Sequence, residues 1–180
     1  MEIWGIDGTG TLRGNWWNGN WNGWYPLPTP AGGFGLVPGG HLAMLGRYED
    51  HMELWSIGTD DQLHGVWWDG NWQPWYTLPG PFSFPPGAPL SPLSRNDDYM
   101  EVWCAGNDDR LHGVWWNGSW EPWYTVGPLP IAERTPIATL SRNDDHMEVW
   151  CVAPDDPRPF IRTVHGVWWN GSWNPFYRLG

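Results

Sequence analysis

The sequence predicts an all-β fold, a propeller of four-stranded antiparallel blades with four repeats in the chain, and three observations carry that expectation. The stretch Leu111-His112-Gly113-Val114-Trp115-Trp116-Asn117-Gly118-Ser119-Trp120-Glu121-Pro122-Trp123-Tyr124 recurs in near copies at residues 12–25, 63–76 and 164–177. A Met-Glu-apolar-Trp segment precedes each copy, beginning at Met1, Met52, Met100 and Met147, so repeats of roughly 48 residues fill the chain, a period that points to propeller blades or a solenoid. Helical periodicity is absent, and 24 glycines and 19 prolines suit turns and crossovers. Residues 1–180 are expected to form a single propeller domain.

Repeat 1 opens with Met1-Glu2-Ile3-Trp4-Gly5-Ile6, turns at Asp7-Gly8-Thr9-Gly10 and continues through Leu12 to Trp17, then from Trp24 to Leu27, which gives three strands. In each repeat Asn-Gly or Asp-Gly separates two aromatic runs, and that dipeptide accepts the positive φ angles of a tight type I′ hairpin turn. A Pro/Gly-rich connection over residues 28–40 leads to a fourth strand at residues 41–47, with counterparts at 89–95 and 136–142. Asn96-Asp97-Asp98 and Asn143-Asp144-Asp145 follow the later two, where side-chain oxygens can bond the backbone two residues on. No such strand precedes Met1, so fifteen strands are expected where four complete blades would have sixteen; either the first blade has three strands or a second copy completes the ring. Residues 154–163 form a longer turn carrying Arg158, Phe160 and Arg162, a candidate contact surface.

A formal charge of -11, with no lysine, offers no field for phosphate, so neither nucleic acid nor an anionic membrane is an expected partner. No stretch approaches a membrane span, and the start lacks the pattern of a signal peptide, so a soluble, unprocessed chain without membrane insertion is expected. Cys104 and Cys151 occupy one repeat position, held by Gly5 and Ser56 in the other copies, and read as small strand residues, not a disulfide framework. Asn117-Gly118-Ser119 and Asn170-Gly171-Ser172 match a glycosylation acceptor, but the turn already requires their Asn-Gly.

Five repeat positions, seen as Trp103, Trp115, Trp116, Trp120 and Trp123, account for all 19 tryptophans, Phe176 replacing the last one in repeat 4. Trp103, Trp115, Trp123 and their equivalents read as packing between blades. Trp68, Trp116 and Trp169, with Trp72, Trp120 and Trp173, flank the Asn-Gly turn and are candidates for a surface pocket. Glu53, Glu101 and Glu148, with Glu2, sit in mid-strand between apolar neighbours and must find partners; Arg47, Arg95 and Arg142 across the preceding turn are the structural ones, sugar hydroxyls the functional ones. His64, His112 and His165 share a position held by Arg13 in repeat 1 and are read as hydrogen-bonding groups at the site. Asp60-Asp61, Asp108-Asp109 and Asp155-Asp156 read as turn formers; nothing alternates acidic ligands as an EF-hand does, and no metal or cofactor is expected. Nearly every polar candidate occurs three or four times, which suits a multivalent binder better than an enzyme with one asymmetric centre; a protein-binding or assembly scaffold is the alternative, and a glycoside hydrolase the weakest reading.

Segments such as Gly58-Thr59-Asp60-Asp61-Gln62-Leu63, followed by Trp67-Trp68-Asp69-Gly70-Asn71-Trp72-Gln73-Pro74-Trp75 and preceded by Met52-Glu53-Leu54-Trp55, resemble the blades of the Photorhabdus-type β-propeller lectins and, more distantly, the Aleuria-type fucose lectins. The resemblance covers every repeat. It implies a multivalent lectin with pockets between adjacent blades for glycans carrying fucose or O-methylated sugars. Of the Aleuria-type pocket only the tryptophans match, at Trp68, Trp116 and Trp169 and at Trp72, Trp120 and Trp173; the arginine position holds Glu53, Glu101 and Glu148, and the glutamate position Gly65, Gly113 and Gly166. The ligand-binding set expected is therefore these six tryptophans with Glu53, Glu101, Glu148, His64, His112 and His165. A homodimer is the expected assembly.

Overall fold

A computed structural model describes the chain except residues 28–29, 31–32, 133 and 156–157, and describes only the backbone at residues 155 and 158–161. Among the described residues, fifteen strands form four antiparallel sheets. Blade 1 has three strands, β1 (Glu2–Ile6), β2 (Leu12–Trp16) and β3 (Tyr25–Pro26). Blade 2 adds an inner strand, running β4 (Ala43–Gly46), β5 (Met52–Ile57), β6 (Leu63–Trp68) and β7 (Tyr76–Leu78). Blade 3 repeats this as β8 (Leu90–Asn96), β9 (Tyr99–Ala105), β10 (Leu111–Trp116) and β11 (Tyr124–Thr125), and blade 4 as β12 (Ile137–Asn143), β13 (His146–Asp155), β14 (Arg158–Trp169) and β15 (Tyr177–Leu179). The strand missing from blade 1 is the inner one, as the sequence predicts.

Side chains alternate across a strand, and here both faces of each inner blade are buried. Trp55 and Ile57 of β5 pack with Met100, Val102 and Cys104 of blade 3, whereas Leu54, next to Trp55 and on the opposite face, packs with Ile6 and Leu12 of blade 1. Trp103 and Ala105 of β9 turn likewise toward Met147, Val149 and Cys151 of blade 4. Trp55 and Trp103 are fully buried, and each such indole contributes at most about 4 to 6 kcal/mol at 25 cal/mol per Å². The inner strands β4, β8 and β12 lie side by side, so four blades make an arc with three filled junctions. Cys104 and Cys151 are buried and free.

The close packing explains the glycines the hairpins share. A Cβ at Gly65 would stand 2.4 Å from the Tyr76 ring, and one at Gly113 2.6 Å from the Trp103 ring. These positions hold glycine because an aromatic ring lies flat over the strand.

Two expectations on loops are modified. The Asn-Gly turns are not type I′: Gly19, Gly70, Gly118 and Gly171 have positive φ while the residue before each does not. Bridges Trp17 to Trp21, Trp68 to Trp72, Trp116 to Trp120 and Trp169 to Trp173 instead enclose three-residue loops. The returning strand begins only at Tyr76 in blade 2, so Trp68 ends β6 while Trp72 stands outside the regular strands, joined by its bridge to Trp68. Residues 154–163 are largely a prolongation of β13 and β14, with Pro154 paired to Arg162; the side chains of Arg158 and Phe160 and the second member of Asp155-Asp156 lie outside the described residues. The remaining Asp turns form as read: Asn96 Oδ1 accepts from the Asp98 and Tyr99 amides at 2.9 and 3.1 Å, and Asp61 and Asp109 take φ of 62° and 58°.

Candidate functional site

Each filled junction holds a cavity built from the same repeat positions. Between blades 1 and 2, about 480 Å³ is lined by Glu2, Trp16 and Tyr25 on one side and Met52, Trp68 and Trp72 on the other. Between blades 2 and 3, about 540 Å³ is lined by Arg47, His51, Glu53, Trp67 and Tyr76 facing Met100, Trp116 and Trp120. Between blades 3 and 4, about 310 Å³ is lined by Arg95, Glu101, Trp115 and Tyr124 facing Met147, Trp169 and Trp173. The volumes suit a small ligand such as a monosaccharide unit.

The polar floor is an Arg-Glu-Tyr cluster. Glu53 Oε1 lies 3.1 Å from Arg47 Nη2 and 2.9 Å from His51 Nε2, and the Tyr76 hydroxyl donates to Oε2 at 3.3 Å. Glu101 has Arg95 Nε at 3.4 Å, outside hydrogen-bond geometry, and receives the Tyr124 hydroxyl at 3.4 Å. Glu148 has Arg142 Nη2 at 2.7 Å, His146 Nε2 at 3.2 Å and the Tyr177 hydroxyl at 3.2 Å. The arginine-glutamate pairs read from the sequence are thus formed. Each arginine of the two inner clusters also reaches across the junction, Arg47 donating to the Asp97 carbonyl at 3.1 Å and Arg95 to the Asp144 carbonyl at 2.9 Å.

Burial governs the charge state of these floors. Burial pushes the Glu101 carboxyl up to about 7, against the pull of Arg95 and the Tyr124 hydrogen bond. The Tyr76 and Tyr124 hydroxyls are held far above the ordinary range, first by burial and then by the neighbouring carboxylates, so they stay protonated donors. Polar capacity is left over: Arg47 Nε, Arg95 Nε and His51 Nδ1, on residues lining the cavities, are buried without a hydrogen-bond partner. An unmet buried donor costs roughly 1 to 3 kcal/mol, and a ligand oxygen would relieve it.

The walls are aromatic. The two turn tryptophans stand edge to face, Trp68 and Trp72 at 5.6 Å and Trp116 and Trp120 at 5.7 Å between ring centroids. The Arg95 guanidinium sits 4.8 Å from the Trp169 ring centroid, a cation-π distance.

Of the twelve residues expected at the site, the six tryptophans, Glu53 and Glu101 line the cavities, with Glu2 as well. Glu148 has the same local cluster but faces away from blade 3, at the open end of the arc. The histidines are placed elsewhere. His64 pairs with Ser56 and Trp67 with Glu53, so His64 lies on the face opposite Glu53. His112 does share a face with Trp116, but four residues along a strand put it roughly 13 Å away. There it braces the Asp turn: His64 and His112 Nε2 donate to Asp60 and Asp108 Oδ1 at 2.8 Å, while the Thr77 and Thr125 hydroxyls donate to their Nδ1 atoms at 3.0 Å. Phe34 and Phe82 stack on these rings at 3.3 and 3.8 Å. Burial lowers the His64 pKa, in keeping with a neutral Nε2-H tautomer. Arg13 in blade 1 makes the corresponding pair with Asp7, and His165 bonds Thr163 at 2.8 Å.

Trp115, expected in the core, is a cavity wall together with Trp16 and Trp67; only its neighbour in the repeat, Trp103, is fully buried. Tyr25, Tyr76 and Tyr124 and the methionines Met52, Met100 and Met147 were absent from the expected set. Their signal was available, since both positions are invariant across the four repeats.

No protein-family model matches the chain, and no curated protein matches it either. Solved structures do. The chain is similar to the BP39L lectin from Burkholderia pseudomallei, with a TM-score of 0.81 at 20% identity, covering 99% of this chain and 51% of that one. It is similar to the SapL1 lectin, solved with α-methyl fucoside, at TM-score 0.67 and 20% identity over 99% and 58% of the two chains. The lectin of Aleuria aurantia, described as a six-bladed β-propeller with a novel fucose recognition mode, gives 0.66 at 15% identity over 99% and 56%. The chain thus spans little more than half the length of these structures. What they and the sheet order establish together is that this chain has the fold of the β-propeller lectins, built from four blades.

Proposed function

We propose that the chain is a multivalent lectin that binds neutral sugars in the cavities between blades. The observation that carries the reading is the repetition, at three junctions, of a carboxylate and a tyrosine facing two tryptophans from the next blade. Indole faces take the apolar C-H surface of a sugar, and indole N-H groups donate to its oxygens. At the second and third junctions Arg47 Nε and Arg95 Nε are further donors in need of an acceptor. Glu53 and Glu101 hold those arginines in place and offer their remaining lone pairs to hydroxyls. A net charge of -11 disfavours an anionic sugar. The descriptions of the Aleuria aurantia and SapL1 lectins support fucose as the ligand class, and the resemblance read in the sequence adds O-methylated sugars. The reading is of a binder in preference to an enzyme, since among the described residues each cavity is lined by one glutamate at the same repeat position.

One shallow pocket of this kind gives a Kd on the order of 10 µM to 1 mM, about 4 to 7 kcal/mol, so avidity on a glycan-bearing surface supplies the useful affinity. The test starts with an array of fucosylated, O-methylated and other neutral glycans, followed by calorimetry with the best ligand. Trp116→Ala removes a wall of the second pocket and Glu101→Gln alters the floor of the third, so each folded variant should lose one site while the others keep their affinity. No binding to any glycan at millimolar concentration, or unchanged stoichiometry in both variants, would refute the reading.

A further inference from the structure

The two ends of the arc carry complementary halves of one more junction. On blade 4, Leu140, Val164 and Leu179 are 45%, 41% and 47% exposed, whereas their equivalents Leu93, Leu111 and Val126 in blade 3 are 8%, 0% and 2%. The Arg142 side chain is 62% exposed, against 9% for Arg47 and 10% for Arg95, because no next blade lies over it. On blade 1, Met1 and Ile3 are 75% and 40% exposed, whereas Met100, Met147, Leu54 and Val102 are 3% or less. Trp17, Trp21 and Trp24 are exposed on that face too. Asn15 stands there in the place of Val66, Val114 and Val167, its Oδ1 buried without a partner.

Each end also holds half a pocket. Blade 4 offers Arg142, Glu148, Trp168 and Tyr177, the floor, with no tryptophan pair opposite. Blade 1 offers Met1, Trp17 and Trp21, the opposing wall, its rings set edge to face at 5.6 Å as in the inner blades.

We propose that blade 4 of one copy docks on blade 1 of a second copy, closing a ring of two chains and completing a fourth pocket at each intermolecular junction. The sugar chemistry assigned to that pocket rests on the lectin reading; the association does not. The occupant is a second copy because the three junctions within the chain already show what covers these repeat positions, namely the next blade of the same sequence. Surfaces of unlike kind on one molecule associate head to tail and close only if the rotation allows. Propellers typically hold four to eight blades, so two four-bladed chains reach the limit and three exceed it.

Native mass spectrometry at micromolar concentration should give about twice 20.7 kDa; a monomer or an open series of higher oligomers would overturn the proposal. Leu179→Asp disables the blade 4 face and Ile3→Asp the blade 1 face, so each variant alone should be monomeric. Mixed, the two retain one matching pair of faces and should form a 1:1 dimer, which also proves that both are folded. A dimer that persists in either variant alone, or a mixture that stays monomeric, overturns head-to-tail docking. Trp21→Ala should keep the dimer mass and lose one of four sugar sites per chain. A dimer without any glycan binding would defeat the lectin reading and leave the ring standing, while a dimeric wild type with three sites per chain would defeat the shared pocket.

Discussion

The second and third junctions are built on one plan, yet their carboxylates live in different surroundings. Glu53 is met by Arg47, His51 and Tyr76 within 3.3 Å, whereas Glu101 has Arg95 and Tyr124 at 3.4 Å each and no histidine. The source is a single repeat position, two residues before the glutamate, which is His51 in blade 2 and Tyr99 in blade 3. Tyr99 cannot bond the carboxylate from there and takes the guanidinium instead, with Arg95 4.9 Å from its ring centroid. Burial then outweighs the compensation at Glu101. The lesson is that a propeller fixes where a carboxylate sits, while the residue two positions before it decides which groups meet it there.

The comparison breaks most readily at Glu53. Glu53→Ala leaves Arg47, whose side chain is 9% exposed, without its counter-ion, and removing one partner of a buried pair costs about 3 to 5 kcal/mol. Glu101→Gln should cost less than half as much at pH 7.5, because the ionised Glu101 is poorly compensated already. Urea unfolding of both variants, compared as midpoint shifts, checks the order. Equal losses would mean that the histidine makes no difference.

A smaller effect sharpens the same contrast through pH. With its pKa raised from 4.5 to about 7, the Glu101 carboxyl keeps its proton in the folded chain after the unfolded chain has lost it. The folded state binds more protons in that window, so stability relative to Glu101→Gln should fall as pH rises from about 4.5 to 7 and level off above, by on the order of 2 to 3 kcal/mol. Tyr99→His, which installs the blade 2 neighbour, should draw the carboxyl downward and flatten that slope. Carbon NMR of the side-chain carboxyl reads the titration directly; an unaltered midpoint in Tyr99→His would detach the pKa from this neighbour.

How much of this was visible beforehand follows from the repeats. Blade number, strand order and the three-stranded first blade were legible because aligned copies such as Met52-Glu53-Leu54-Trp55 and Met100-Glu101-Val102-Trp103 locate each strand independently. The tryptophan pairs and the Arg47 to Glu53 pairing were legible too, since the first flank a turn and the second is a burial demand. What escaped was side-chain direction. Glu53 pairs with Trp67 and Ser56 with His64, and without that register a histidine on the opposite face looked as close to the glutamate as a tryptophan on the same one. The loop type escaped for a related reason: Asn-Gly suits both a two-residue turn and the wider loop, and the bridge between Trp68 and Trp72 selects the latter.

The smallest expected effect tests whether the repeats are interchangeable where they pack. Cys104 of blade 3 occupies the position of Ser56 in blade 2. The Ser56 hydroxyl donates to the His41 carbonyl at 2.9 Å, and the Cys104 thiol points at the Pro89 carbonyl at 3.6 Å. Both carbonyls come from the inner side of the blade, so an acceptor is already in place for a hydroxyl in blade 3. Burial holds the Cys104 thiol far above its ordinary pKa, which leaves it neutral and no ionic role to lose. Cys104→Ser therefore exchanges a weak donor for a stronger one at slightly smaller volume, and the hydrogen bond gained, about 1 kcal/mol, offsets most of the lost packing. The shift in the urea midpoint should correspond to less than about 1 kcal/mol. A loss above about 2 kcal/mol would show that the Pro89 carbonyl is not placed as the His41 carbonyl is, and that the two junctions differ in their cores as well as in their pockets.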